Sequence, residues 1–122
     1  MKILFVLPSV SELKENKNDI TFTSKFLWGV VFGPLLTFQM LAAVTPPVHS
    51  MKLIDERYQK IDFDEEFDII GISATTSGAV RAYEIADKYR KKGIPVVLGG
   101  WHPTALPNEA KQHADAVVIG DG

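Results

Sequence analysis

Hydrophobic positions along this chain fall into short runs, most of them β-branched and most closing on proline, aspartate or small residues. Residues 2–7 (KILFVL) form the first run, closed by Pro8. Further runs cover 48–55, 68–74 (DIIGISA), 96–98 and 116–119 (AVVI). Apolar stretches of this length, bounded by turn-forming residues, predict strands of a buried sheet. Between the third and fourth runs the period changes: Ala82, Ile85, Ala86 and Tyr89 recur at i, i+3, i+4 and i+7, which predicts one apolar stripe on a helix. Ser77 is its expected N-cap and Gly93 its expected stop, with Glu84/Lys88 and Asp87/Lys91 spaced to pair along it. A helix over 34–44, entered at Pro34 and ended before Pro46-Pro47, and a short one from Pro107 complete the pattern. Segment 56–66 is a polar crossover with room for a helical turn. Segment 9–25 is polar and aperiodic, and with Phe26-Leu27-Trp28 it makes a first connection long enough to be functional or disordered.

Strands alternating with helices predict an α/β fold in three layers, a parallel sheet with right-handed crossovers. The Rossmann-like, flavodoxin-like strand order 2-1-3-4-5 is the natural arrangement. No internal repeat or second domain is visible, so residues 1–122 read as one domain. The sequence stops at the carboxyl end of the fifth strand, where that fold places a final covering helix. The chain is therefore expected to be the N-terminal fragment of a longer protein, with the final covering helix missing and one sheet face open to a homodimer partner or to the rest of the chain.

Composition narrows the possible partners. A formal net charge of −2 argues against nucleic acid, which calls for a basic stripe. With Cys 0, disulfides, thiolate metal sites and iron–sulfur ligation are excluded on these residues. The first apolar run is too short for a signal-peptide core of roughly 7–15 residues, and no small-residue cleavage site follows. Residues 26–44 carry no charge, but Gly29, Gly33 and Pro34 interrupt them, so a loop followed by a well-buried helix is expected rather than a membrane span. A cytoplasmic protein is the default.

Three strand ends carry candidate chemistry. The third is followed by Ser73-Ala74-Thr75-Thr76-Ser77-Gly78, hydroxyls at a helix start that suit phosphate, ribose or amide groups, or an ordinary capped turn. The fourth ends in Gly99-Gly100-Trp101-His102-Pro103-Thr104, where paired glycines let a ligand lie on bare backbone. His102 has no carboxylate motif beside it; it is a metal ligand or an acid/base group or, more commonly for such a residue, a structural hydrogen-bonder. The fifth ends in Gly120-Asp121-Gly122, with Asp121 either accepting ligand protons or serving the turn. His49 and His113 read as structural, and Asp62, Asp64, Glu65 and Glu66 as a solvated acidic run.

Several functions are excluded by what is absent. No GxGxxG follows the first strand and no GxxxxGK[ST] occurs, so dinucleotide and P-loop fingerprints are lacking. The first and third strands end in Leu7-Pro8-Ser9 and Ser73-Ala74, without the acidic residues of a magnesium-dependent phosphoacceptor. No nucleophile–base–orienter set is legible, so any chemistry belongs to a cofactor or to another domain.

At these residues the chain resembles the N-terminal cobalamin-binding domain of cobalamin-dependent radical S-adenosylmethionine enzymes. The resemblance rests on segments 33–43 with Pro46-Pro47, Leu53-Ile54-Asp55-Glu56, 68–73, 81–87, and above all 93–104 leading to 113–122. It covers nearly all of the chain outside 9–32. It implies a cobalamin-binding module, itself non-catalytic, with the cofactor held at the carboxyl edge of the sheet. Pro8 and Ser77 would border the site, and the nucleotide tail would lie against Ser73, Thr75 and Thr76. The tail would then pass over Gly99-Gly100 beside Trp101 and His102, flanked by Gly120 and Asp121. The iron–sulfur cluster and S-adenosylmethionine would belong to a downstream radical domain, the partner that makes the parent a methyltransferase or cyclase. Methionine-synthase-like cobalamin domains carry Asp-x-His-x-x-Gly after the first strand. Residues 8–48 contain no histidine, so no histidine lower ligand is expected. The alternative is a flavodoxin-like regulatory or interaction domain with no bound cofactor, docking through the Phe26–Trp28 region.

Overall fold

The computed structural model describes residues 1–9 and 35–120. Its elements are β1 (Lys2–Leu7), α1 (Leu35–Val44), β2 (Ser50–Asp55), β3 (Ile69–Ser73), a 3-10 turn (Thr76–Gly78), α2 (Ala79–Lys91), β4 (Val96–Gly99), α3 (Trp101–Ala105), α4 (Pro107–Ala110) and β5 (Ala116–Val117). The strands form one five-stranded sheet in the order β2-β1-β3-β4-β5, every pair parallel. The expected α/β architecture and strand order are those observed. Parallel pairing aligns every carboxyl end on one edge: Leu7 stands opposite Asp55, Ser73 opposite Gly99, and Leu98 opposite Val117.

The two sheet faces are buried to different depths. Leu4, Val6, Ile70, Ile72, Val96 and Leu98 lie on one face with almost no exposure, and with Ala82, Ile85, Ala86 and Tyr89 of α2 they belong to one core cluster. The stripe read from the sequence is thus the contact made. Intervening residues Ile3, Phe5, Ile69, Val97 and Gly99 face the other way and are only half-buried. There the Phe5 ring lies over Gly71, where an added Cβ would come within 2.8 Å of it, and meets Phe38 of α1 at 5.3 Å between centroids.

Several local expectations are corrected. Gly78, not Ser77, precedes α2, and no side chain caps that helix among the described residues. Ser77 lies inside the 3-10 turn, its hydroxyl 3.2 Å from that of Thr75. Glu84 pairs with Arg81 and Asp87 with His113, rather than with the lysines four residues on. Gly93 does end α2, at φ +79. Over residues 38–44 α1 is not well buried: Phe38, whose ring meets Phe5 of the sheet, is buried, but Met40 and Val44 are 62% and 78% exposed. Glu65 is not merely solvated; Lys52 and Lys2 hold its carboxylate at 2.7 and 3.2 Å and lower its pKa. The 56–66 crossover holds no helix beyond the single turn for which it had room, closed by Gln59 N–H on Asp55 O at 2.9 Å. Phe26-Leu27-Trp28 and Pro34 lie outside the described residues. No helix among the described residues is long and apolar enough to cross a membrane.

The inequality of the faces can be measured. Ile70→Ala, at a fully buried position, is expected to cost about 2–5 kcal/mol in denaturant unfolding. Ile69→Ala, one residue away on the half-buried face, is expected to cost less than half as much.

Candidate functional site

At the carboxyl edge, the turns after β3 and β4 are joined main chain to main chain. Ala74 N–H donates to Gly99 O at 2.9 Å, and His102 N–H donates to Ala74 O at 3.1 Å. Residue 100 sits in this seam at φ +100, and a Cβ there would lie 2.8 Å from Ala74 O and 3.0 Å from both Ala74 N and Ser73 Oγ. Only glycine fits such an approach with such a dihedral. Gly99 differs: among the described residues an added Cβ would meet only Val118, at an ordinary 3.6 Å. Packing against the described residues therefore does not account for glycine there, and its bare surface suits a ligand lying on the backbone.

The turn after β5 joins the same ledge. Thr104 Oγ1 donates to Gly100 O at 2.7 Å and accepts from Gly120 N–H at 3.1 Å. Pro8, ending β1, stands beside Gly78, its Cβ 3.9 Å from where a Gly78 Cβ would lie. The next residue, Ser9, gives its N–H to Glu56 at 3.1 Å; Arg81 from α2 grips the same carboxylate at 2.9 Å. Loops after β1, β3, β4 and β5 are thus brought together; the sequence pattern had placed those after β3, β4 and β5 on one edge, and the family resemblance had added Pro8. Asp121 lies outside the described residues. Trp101 projects from the ledge with 69% of its surface exposed.

His102 corrects the reading of a histidine without a carboxylate partner. It is buried, with 7% exposure, and its Nε2 lies 2.6 Å from Glu109 Oε2 while Nδ1 lies 3.3 Å from Thr76 Oγ1. Tyr83 donates its hydroxyl to the same Glu109 oxygen at 2.8 Å. A hydroxyl–imidazole–carboxylate series, illegible in the sequence, is therefore assembled at the rim. The hydrogen bond from His102, then that from Tyr83, holds Glu109 below the usual carboxylate pKa. Burial, then the bond to Glu109, pushes the Tyr83 phenol up to about 12. Glu109 was not singled out because it lies on α4, seven residues on and across the break at Leu106, where no continuous helical spacing links it to His102. The short helix α3 was also unforeseen; Pro103 occupies its first turn, where a missing N–H costs nothing. His113 and His49 sit at the amino edge, before β5 and β2; His113 bonds Asp87 at 3.0 Å and stacks on Tyr83 at 4.1 Å. Among the described residues no group of three or more potential ligands could hold a metal ion.

Comparison with known proteins identifies the family of this chain. The family model described as B12 binding domain matches residues 48–122. The chain belongs to that family, and its cofactor is cobalamin. Over 83 residues it is 48% identical to the bacteriochlorophyllide d C-8(2)-methyltransferase of Chlorobaculum tepidum, covering 67% of this chain and 18% of that protein. The bacteriochlorophyllide d C-12(1)-methyltransferase of the same organism is 33% identical over 96 residues, 76% of this chain and 21% of its own length. An uncharacterized methyltransferase of Pyrococcus horikoshii is 32% identical across 100% of this chain and 27% of its own. The chain thus spans about a fifth to a quarter of the curated relatives it matches. No solved structure matches it.

Two tests follow from the geometry. Gly100→Ala is expected to destabilise the fold by at least about 1–3 kcal/mol, read as a lowered Tm, whereas Gly99→Ala leaves Tm near that of the parent chain. Glu109, with its pKa lowered in the folded state, stabilises the fold fully above the ordinary carboxylate value, and this is lost as pH falls through the lowered value. Glu109→Gln is expected to flatten that part of the dependence of Tm on pH.

Proposed function

We propose that this chain is the cofactor-holding module of a cobalamin-dependent radical S-adenosylmethionine methyltransferase, itself non-catalytic. The observation that carries the reading is the open backbone at Gly99, set among exposed hydroxyls where four strand ends meet. The nucleotide tail of cobalamin lies along Ser73, Thr75 and Thr76, beside Ser77 and Pro8, and passes over Gly99-Gly100. Trp101 and His102 border it on one side, and Gly120 and Asp121 on the other. When bound, cobalamin supplies a cobalt centre suited to methyl transfer; the chain orients the cofactor and shields one side of it from water. The methyltransferase names of the relatives favour methyl transfer over ring formation, and the family resemblance supports the radical partner domain. With Cys 0, these residues offer no thiolate to an iron–sulfur cluster, which belongs with S-adenosylmethionine on a downstream domain.

No histidine lies beneath the cobalt in this reading. Of the 3 histidines, His49 and His113 stand at the opposite edge, and both ring nitrogens of His102 are engaged by Thr76 and Glu109. Purified chain mixed with hydroxocobalamin and desalted is expected to elute with the red chromophore, and Gly99→Val to elute with less; a colourless parent chain would count against the reading. We expect the cofactor to be held base-off, so that after reduction to cobalt(II) it shows no axial nitrogen hyperfine splitting, which either its own benzimidazole or a histidine on the cobalt would give.

A further inference from the structure

Glu109 Oε2 lies 2.6 Å from His102 Nε2 and also receives the Tyr83 hydroxyl. An ionised carboxylate can only accept, so Nε2 carries a proton. In a neutral imidazole the other nitrogen is then bare. That nitrogen, Nδ1, stands 3.3 Å from Thr76 Oγ1, and the hydroxyl is left to donate to it. A hydroxyl has one proton; with that proton turned inward, Oγ1 presents only lone pairs to the rim, where Thr76 is exposed. The arrangement is braced from behind. The Tyr83 ring meets the imidazole edge-on at 6.0 Å between centroids and stacks on His113, which Asp87 holds in turn.

We propose that Glu109, acting through His102, fixes Thr76 as a hydrogen-bond acceptor toward the bound ligand, and that the ligand group it selects is an amide N–H. The inference rests on the cobalamin reading above: the nucleotide tail that lies along Thr76 is joined to the corrin through a secondary amide. Thr76 touches the ligand; His102 and Glu109 are positioning residues, and Glu109 gains a role beyond stability.

Two measurements test it on the intact chain. Nitrogen-15 NMR of the ligand-free protein at neutral pH is expected to show His102 in the Nε2–H form; the Nδ1–H form or an imidazolium overturns the relay. Hydroxocobalamin titration is expected to weaken about tenfold for both Thr76→Val and Glu109→Leu, the size of one hydrogen bond. Thr76→Ser is expected to recover most of the affinity, and Glu109→Gln, whose amide oxygen still accepts from Nε2–H, to keep most of it. Glu109→Leu added to Thr76→Val is expected to cost nothing further, because the leucine acts only through a hydroxyl that is already gone. Equal, additive losses mean a merely structural Glu109 and overturn the proposal while cobalamin binding stands. A parent chain that binds no cobalamin overturns the functional reading and, with it, the ligand named here.

Discussion

The turn after β4 can approach the end of β3 so closely only because residue 100 carries no side chain. The approach commits both polar groups of Ala74, one to Gly99 and the other to His102, so two strand ends are stitched together by main chain alone. The other rim features depend on that seam. It sets His102 beneath Thr76, lets Thr104 reach from Gly100 to Gly120, and leaves Gly99 with bare backbone outward. A binding surface made this way is preorganised, with little rotamer freedom left to lose when a ligand arrives.

The rest of the molecule supports that edge unevenly. Behind it, α2 packs on the fully buried face and carries outward the side chains that brace the rim: Arg81 on Glu56, Tyr83 on Glu109, Asp87 on His113. One helix therefore joins the hydrophobic core to the polar site, so the depth of burial at Ala82, Ile85 and Tyr89 sets how firmly the site is held. On the opposite face Phe38 of α1 meets Phe5, and the sheet residues around that contact are only half-buried.

Most of the fold was legible in the sequence because strand runs and the helical stripe are local signals. Ala82, Ile85, Ala86 and Tyr89 announced α2, and glycine after valine and leucine announced the edge at which β4 ends. Ends of elements were less legible. Ser77 resembled a cap, but the chain spends that hydroxyl on Thr75 inside a 3-10 turn. The site was legible where it is made of main chain, since glycine is a conspicuous residue. It was illegible where it depends on pairs brought together by folding: Glu109 with His102, 7 residues apart across a helix break, and Glu56 with Arg81, 25 apart. Length and hydropathy alone overstated the burial of α1, because an uncharged helix need not be a covered one.

The grip of Glu56 on the Ser9 amide has a mechanical consequence. Arg81 anchors that carboxylate to α2, so β1 ends at a fixed post rather than trailing into the long polar segment beyond. A change in the length of the sequence beyond Ser9 meets that post before it can pull on the register of β1. The ledge can thus stay constant while the sequence beyond Ser9 is free to diversify.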